Sequence, residues 1–110
     1  MPLAAVFDAL GDPTRFAIVE KLLAEQEATA GDLAAPFALS KPAISRHLKV
    51  LESAGVIERH TDRQFRKFRV RRDTLEAAGG WFDEARRFWS ASFDRLDAHL
   101  ARQSGDRDHG

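Results

Sequence analysis

Apolar residues recur at helical spacing through most of this 110-residue chain, and they alternate with polar residues in one short stretch. Leu3 to Leu10 predicts a short apolar helix. Gly11 ends it, and Asp12 and Pro13 begin a second helix, because aspartate caps helices well and proline suits the first helical position. The second helix is predicted to bury one face, formed by Phe16, Val19, Leu22 and Leu23.

The third helix has a recognisable start. Thr29 is followed three residues later by Asp32, which predicts a capping box in which aspartate replaces the usual glutamate or glutamine. The short helix that follows carries Leu33 and Phe37. Ala38-Leu39 then turns the chain into another helix start.

The fourth helix divides into an apolar face and a polar face. Ser40 is predicted to cap it, with Pro42 in its first turn, where no intrahelical partner is required of the missing N–H. Ile44, Leu48 and Leu51 lie at i, i+4 and i+7 and are expected to face the core. The residues left on or near the opposite side are Lys41, Pro42, Ala43, Ser45, Arg46 and Lys49. Two helices joined by a tight turn, the second with a cationic N-terminal half, form a helix-turn-helix, whose second helix fits a major groove about 12 Å wide.

After the fourth helix the hydrophobic period changes from helical to alternating. Two short strands are predicted, Val56 to His60 and Arg66 to Arg71, around a turn at Thr61 to Gln64. Phe68 and Val70 fall on one face of this hairpin, or wing, and cationic residues on the other.

The chain is predicted to be helical again from Asp73 to about Gln103. A broad apolar stripe, rich in aromatic residues, runs along this helix: Trp81, Phe82, Ala85, Phe88, Trp89, Phe93, Leu96 and Leu100. Gly79-Gly80 predicts a kink, or a separate short helix over residues 73–78, because each glycine costs about 1 kcal/mol in a helix interior. Residues 1–103 are predicted to form a single domain, and Ser104 to Gly110 a polar, disordered tail.

Charge is sorted along the chain. Residues 41–72 hold ten Lys or Arg against three Asp or Glu, a net charge of +7 in a protein whose overall net charge is zero. A cationic segment that begins on an amphipathic helix predicts duplex DNA as the partner. Arg46 is the strongest candidate for a base or phosphate contact, and His47 lies at the edge of the same face. Arg63, Gln64 and Arg66 are expected to contact phosphates from the wing, whereas Arg69, Arg71 and Arg72 are expected to be structural or to form salt bridges.

Composition narrows the class of protein further. The chain is 44% hydrophobic and 31% charged, which predicts one soluble domain with a modest core that a dimer would extend. The start has no signal-peptide pattern and no window approaches 18 apolar residues, so neither secretion nor a membrane span is expected. The sequence therefore predicts a cytoplasmic location. An enzyme is not expected either. Cys and Tyr are absent, no Gly-rich phosphate loop is present, and the four His are scattered.

These segments together resemble the ArsR family of bacterial winged-helix repressors over nearly the whole chain. The resemblance is carried by Asp12-Pro13-Thr14-Arg15, by Leu39 to Leu51 with Ala54-Gly55, by the basic hairpin, and by Arg87-Phe88-Trp89 and Asp94-Arg95-Leu96 in the last helix. It implies a mainly α, winged helix-turn-helix fold with about five helices and a two-stranded wing. It also implies repression of transcription by a homodimer whose first and last helices pair across a two-fold axis. The residues expected at this dimer interface are Leu3, Val6, Phe7, Trp81, Phe82, Phe88, Trp89, Phe93, Leu96 and Leu100.

The chain departs from the family's metal sensors. Those proteins carry paired cysteines on the third helix, and Thr29 to Leu33 has no thiol. Asp97 and His99 are two residues apart on the last helix and therefore project about 200° apart, and His109 lies in the predicted tail. We therefore predict no metal site and no cofactor. The inducing signal, whether a small molecule or another, is not indicated.

Two other functions are compatible with the residues themselves. One is a nonspecific architectural DNA-binding protein, which would protect all duplexes alike, whereas a repressor would give a sequence-preferring footprint. The other is a winged-helix module that binds proteins, which would keep its partner after the wing cations were neutralised.

Overall fold

The computed structural model describes residues 2–104, with side chains described for residues 2–101. The helices are α1 (Leu3–Leu10), α2 (Pro13–Glu25), α3 (Ala30–Ala34), α4 (Lys41–Ser53) and α5 (Arg72–Ser104), with a 3-10 turn at Ala35–Phe37. The strands are β1 (Ala28–Thr29), β2 (Ile57–Asp62) and β3 (Phe65–Val70). This mainly α arrangement confirms the predicted winged helix-turn-helix, with α3 packed against α4 and the hairpin after it.

Three helices begin at the predicted caps. The Asp12 side chain accepts a hydrogen bond from the Arg15 backbone N–H at 3.0 Å, and this bond lowers the pKa of Asp12 from its ordinary value. Thr29 and Asp32 form a reciprocal capping box, and the Ser40 hydroxyl accepts from the backbone three residues later. Each cap satisfies a backbone donor that the helix itself leaves unpaired.

The hydrophobic core lies in the unit Met1–Ala77, and the predicted core face of α4 is confirmed. Its buried apolar residues are Val6, Ala9, Ile18, Val19, Leu22, Ala28, Leu33, Ile44, Leu48, Leu51, Val56, Ile57 and Phe68. The predicted face of α2 was wrong in part, since Phe16 and Leu23 are 50% and 51% exposed and Ile18 is buried instead. α2 carries two apolar stripes, and the core takes the one that contains Ile18 and Leu22.

The wing hairpin, formed by β2 and β3, is extended by β1 into a three-stranded antiparallel sheet in the order β1-β3-β2. β2 pairs with β3 from Ile57 opposite Val70 to Asp62 opposite Phe65, which leaves a turn of only two residues, Arg63 and Gln64. The predicted four-residue turn was therefore too long. β1 was not predicted, because a strand of two residues shows no hydrophobic period.

A short turn positions the wing directly after α4. Gly55 has φ of +81°, a left-handed value that glycine adopts without steric cost, and the Val56 N–H donates to the Leu51 carbonyl at 2.9 Å. The buried Thr74 hydroxyl donates to the Gly55 carbonyl, so the first turn of α5 is tied to the same turn. The end of α4, the start of the wing and the start of α5 are thus held together.

α5 is continuous from Arg72 to Ser104, so the predicted separate short helix before Gly79-Gly80 was wrong. Among the described residues, no atom outside the helix's own nearby backbone lies within 4 Å of where a Cβ would stand at either glycine, so close packing does not require glycine at these positions. The chain forms two compact units, Met1–Ala77 and Ala78–Gly110, whose boundary falls within α5. The predicted tail starts at Ser104, which is helical, and its remaining residues lie outside the described part of the chain. No helix within residues 2–104 is both long and apolar enough to cross a membrane.

Candidate nucleic-acid interface

The polar face of α4 is exposed as the hydrophobic pattern predicts. Ile44, Leu48 and Leu51 are buried beneath the helix. The exposed residues on its other side are Lys41, Pro42, Ser45, Arg46 and Lys49, whereas Ala43 and His47 are half-buried at one edge. A straight helix whose outer surface carries three cations in its first nine residues can lie in a major groove.

The three predicted wing residues are exposed at the hairpin tip. Arg63 and Gln64 form the turn, and Arg66 is the second residue of β3. Arg63 has φ of +61°, a left-handed backbone value that favours glycine. Arg63 therefore occupies a backbone conformation that glycine would adopt at lower steric cost.

The ten cations of residues 41–72 separate into two groups of five. Five are paired with carboxylates: Arg59 with Glu52, Lys67 with Glu27 and Asp62, Arg69 with Glu58, Arg71 with Asp73, and Arg72 with Glu76. The expectation that Arg69, Arg71 and Arg72 are structural or form salt bridges is confirmed for the salt bridges. The other five have no carboxylate within 4 Å among the described residues: Lys41, Arg46, Lys49, Arg63 and Arg66. Within residues 41–72, the cations without a carboxylate partner among the described residues therefore all lie on α4 or near the wing tip.

The paired cations hold the wing in place. The Arg59 guanidinium donates two hydrogen bonds to the Glu52 carboxylate, at 3.0 and 2.9 Å, and so joins β2 to the end of α4. These bonds raise the pKa of Arg59, and bonds to Asp62 and Glu27 raise the pKa of Lys67. A bidentate pair also fixes orientation, so this part of β2 is oriented relative to the end of α4. Sequence reasoning missed this link, because its partners lie on different elements.

A second link missed from the sequence joins α4 to the first two helices. Arg15 Nε donates to the Ala9 carbonyl at 2.7 Å, and Arg15 Nη1 lies 3.5 Å from His47 Nδ1. Because a guanidinium only donates, His47 Nδ1 is the acceptor of this contact. Arg15 thus contacts the His47 ring, which lies at the edge of the exposed face of α4.

The predicted dimer residues fall into two groups. On α1, Leu3 and Phe7 are half-buried, but Val6 is 1% exposed and belongs to the core, so it has no surface to offer a partner. Along α5, all seven of the predicted interface residues are exposed: Trp81, Phe82, Phe88, Trp89, Phe93, Leu96 and Leu100. Trp89 and Phe93 pack edge to face with ring centroids 5.0 Å apart. Such a contiguous apolar stripe marks an interaction surface.

Within the described residues, no three His, Asp or Glu side chains are grouped as metal ligands would be. His109 lies outside that range.

Known proteins with this arrangement are regulators of transcription. A family profile described as a helix-turn-helix domain matches residues 10–60. The transcriptional repressor SdpR of Bacillus subtilis is 42% identical over 76 residues, which are 69% of this chain and 83% of that protein. A crystal structure of an ArsR family transcriptional regulator is 32% identical, with a TM-score of 0.69 over 80% of this chain and 90% of the other. The chain belongs to the ArsR family.

A further structure, an ArsR-like transcriptional regulator from Rhodococcus sp. RHA1, is 27% identical to this chain, with a TM-score of 0.70. The match covers 93% of this chain and 92% of the other chain. The ArsR-family chain described here is accordingly a DNA-binding regulator of transcription. The chain contains no cysteine, so it has no thiolate that could bind a metal, on α3 or elsewhere.

Proposed function

We propose that the protein is a homodimeric repressor, acting in the cytoplasm, that binds an inverted-repeat operator and performs no catalysis. The observation that carries this proposal is the separation of the cations. Carboxylates within the chain neutralise the cations that shape the wing, and leave those on the outer face of α4 and near the wing tip for another anion. The similarity to a transcriptional repressor supports the direction of regulation.

In this proposal α4 reads bases and the wing contacts phosphates. Lys41, Ser45, Arg46 and Lys49 lie on the exposed side of α4, where a major groove would receive them. Pro42, Ala43 and His47 complete the same surface. Arg63, Gln64 and Arg66 extend it, and the left-handed backbone at Arg63 supports a role for that side chain beyond folding.

The homodimer follows from the apolar stripe on α5. An exposed row of aromatic and aliphatic side chains is costly in water, and a second copy of the same helix can cover it by two-fold symmetry. Leu3 and Phe7 of α1 would complete the interface. A two-fold dimer presents its two α4 helices to successive major grooves, about 34 Å apart.

Selection of bound duplexes from a random pool tests the function, with the wild-type protein and Arg46→Ala in parallel. The wild-type protein is expected to select an inverted repeat with half-sites about one helical turn apart. Arg46 is exposed and has no carboxylate partner, so Arg46→Ala is expected to weaken operator binding by about 1–3 kcal/mol and to relax one position in each half-site. A pool without consensus would identify a nonspecific architectural binder. Unchanged specificity in Arg46→Ala would remove Arg46 from base recognition.

A second prediction concerns the wing. Arg63→Gly removes a cation and also relieves the left-handed backbone, so the hairpin is expected to stay folded. Affinity should fall by a similar factor for operator and random duplexes, and the slope of log affinity against log salt should flatten by about 0.9 for each lost phosphate contact. The measurement is fluorescence anisotropy at several salt concentrations.

The matched control for this prediction is Arg69→Ala in the same hairpin. Arg69 is paired with Glu58 at 2.8 Å, so its removal is expected to change the salt slope little. A loss in Arg63→Gly that is confined to the operator would show that the wing reads bases instead.

A further inference from the structure

A groove lies between α1 and α4. It includes some of the proposed DNA-contacting residues of α4 and extends beyond them to α1. Its volume is about 840 Å³, and Arg15 of α2 contributes to its wall. The apolar part of the lining is formed by small aliphatic side chains: Ala5 and Ala9 from α1, Ala43 and Val50 from α4, and Ala54 directly after α4. This size is within the range of roughly 300–1,000 Å³ that is typical of small-molecule sites.

Val50 is an exposed apolar residue of α4 that neither the core nor the proposed DNA contacts explain. It is 40% exposed, although it lies between the cationic Lys49 and the fully buried Leu51. Its side chain lines the groove together with the alanines. An exposed valine on a DNA-reading helix is accounted for if an apolar group covers it.

The polar part of the lining is cationic. Arg15, Arg46 and Lys49 contribute three full positive charges and Asp8 one negative charge, and His47 adds an imidazole. Arg15 is fixed by its bond to the Ala9 carbonyl, and Lys49 has no carboxylate within 4 Å among the described residues. A fixed arginine and a lysine without a carboxylate partner, beside an apolar surface, are complementary to an anion that carries an apolar body.

The groove lies on the side of α1 away from the proposed dimer contacts. Ala5 is two residues from both Leu3 and Phe7, and residues two apart on a helix project about 200° apart. A partner that covers Leu3 and Phe7 therefore leaves the Ala5 side of the helix open.

We propose that this groove binds a small organic carboxylate with an apolar body, and that binding releases the protein from DNA. The carboxylate would pair with Arg15 and Lys49, and the apolar body would cover Val50 and the alanines. Arg46 and Lys49 belong to both surfaces, so ligand and DNA compete for the same cations. The release step rests on the proposed function, whereas the binding step does not.

Octanoate is a suitable probe, and octylammonium is its control of opposite charge and equal chain length. The full-length protein is labelled at alanine and valine methyl groups, and its NMR spectrum is followed during titration without DNA. Octanoate is expected to shift the methyl signals of Ala5, Ala9, Ala43, Val50 and Ala54 in a saturable manner, and octylammonium is not. Release of operator DNA by octanoate is then followed by anisotropy.

Two matched variants locate the site. Val50→Asp places a carboxylate in the groove and is expected to weaken octanoate binding by about tenfold or more. Leu23→Asp introduces the same charge at an aliphatic residue of similar exposure, 51%, on α2 outside the groove, and is expected to bind octanoate as the wild-type protein does.

The outcomes separate this inference from the proposed function. Absent or non-saturating methyl shifts, shifts on α5 only, equal binding of octylammonium, or unchanged binding by Val50→Asp would each overturn the ligand site. Saturable binding in the groove without release of the operator would overturn the competition and leave operator recognition intact. If the wild-type protein bound octanoate in the groove but bound no DNA, the proposed function would fail and the ligand site would stand.

Discussion

Phe93→Asp is expected to convert the dimer into monomer or unfolded chain and to abolish operator binding. Phe93 is 47% exposed, lies on the apolar stripe of α5 and packs edge to face against Trp89. In the proposed dimer it is desolvated, and an unpaired carboxylate buried in a dry interface costs several kcal/mol, on the order of 3–5. Sedimentation equilibrium measures the change directly. DNA binding should fall with it, because a single α4 contacts only one half-site.

Ala91→Asp is the matched control for this experiment. Ala91 is exposed and two residues before Phe93, so it projects about 200° away from Phe93 on the same helix. The same charge at Ala91 is expected to leave the dimer intact. A Phe93→Asp protein that sediments as a dimer and binds its operator normally would place Phe93 outside the interface.

Leu51→Ala is expected to lower the free energy of unfolding by about 2–5 kcal/mol. Leu51 is fully buried at 0% exposure on the inner face of α4, and its carbonyl accepts the hydrogen bond from Val56 that begins the wing. Truncation leaves a cavity directly beneath α4. A loss of this size is a large share of the roughly 5–15 kcal/mol that stabilises a typical domain. Urea denaturation of the purified protein measures it.

Val50→Ala is the neighbouring control. Val50 is 40% exposed, so its truncation removes little buried surface and should cost only about 0.5 kcal/mol or less. If the two variants were equally stable, Leu51 would not be part of the close-packed core. Reduced operator affinity in Leu51→Ala at temperatures where it remains folded would show that the core also holds α4 in position.

The helix starts could be predicted from the sequence because their determinants are local. Asp12, Thr29 and Ser40 each accept from a backbone group three residues later, so the partner is contained in the same short segment. The core face of α4 was predictable for a related reason. Its three apolar residues recur at a single helical spacing, and the other side is polar.

The buried face of α2 and the continuity of α5 could not be predicted from local sequence patterns. α2 carries apolar residues on two faces, and only packing against the rest of the core decided that Ile18 is buried and Phe16 is exposed. Gly79-Gly80 lowers helix propensity by about 1 kcal/mol at each residue, but propensity is a weak local preference and the helix continues through both residues. Val6 was assigned to the dimer interface from its place on α1, and the tertiary structure buries it in the core.

The sequence by itself determined the order of the elements and the location of the basic segment, because periodicity, capping and charge are properties of neighbouring residues. Only the tertiary structure decided which cations are paired with carboxylates and which are not. Arg59 meets Glu52 and Lys67 meets Glu27 across 7 and 40 positions of the chain, so these pairs form only when α4, the wing and the segment before β1 come together. The groove beside Val50 has the same origin, because its walls come from α1, α2 and α4, which are separated in sequence and adjacent only in the folded protein.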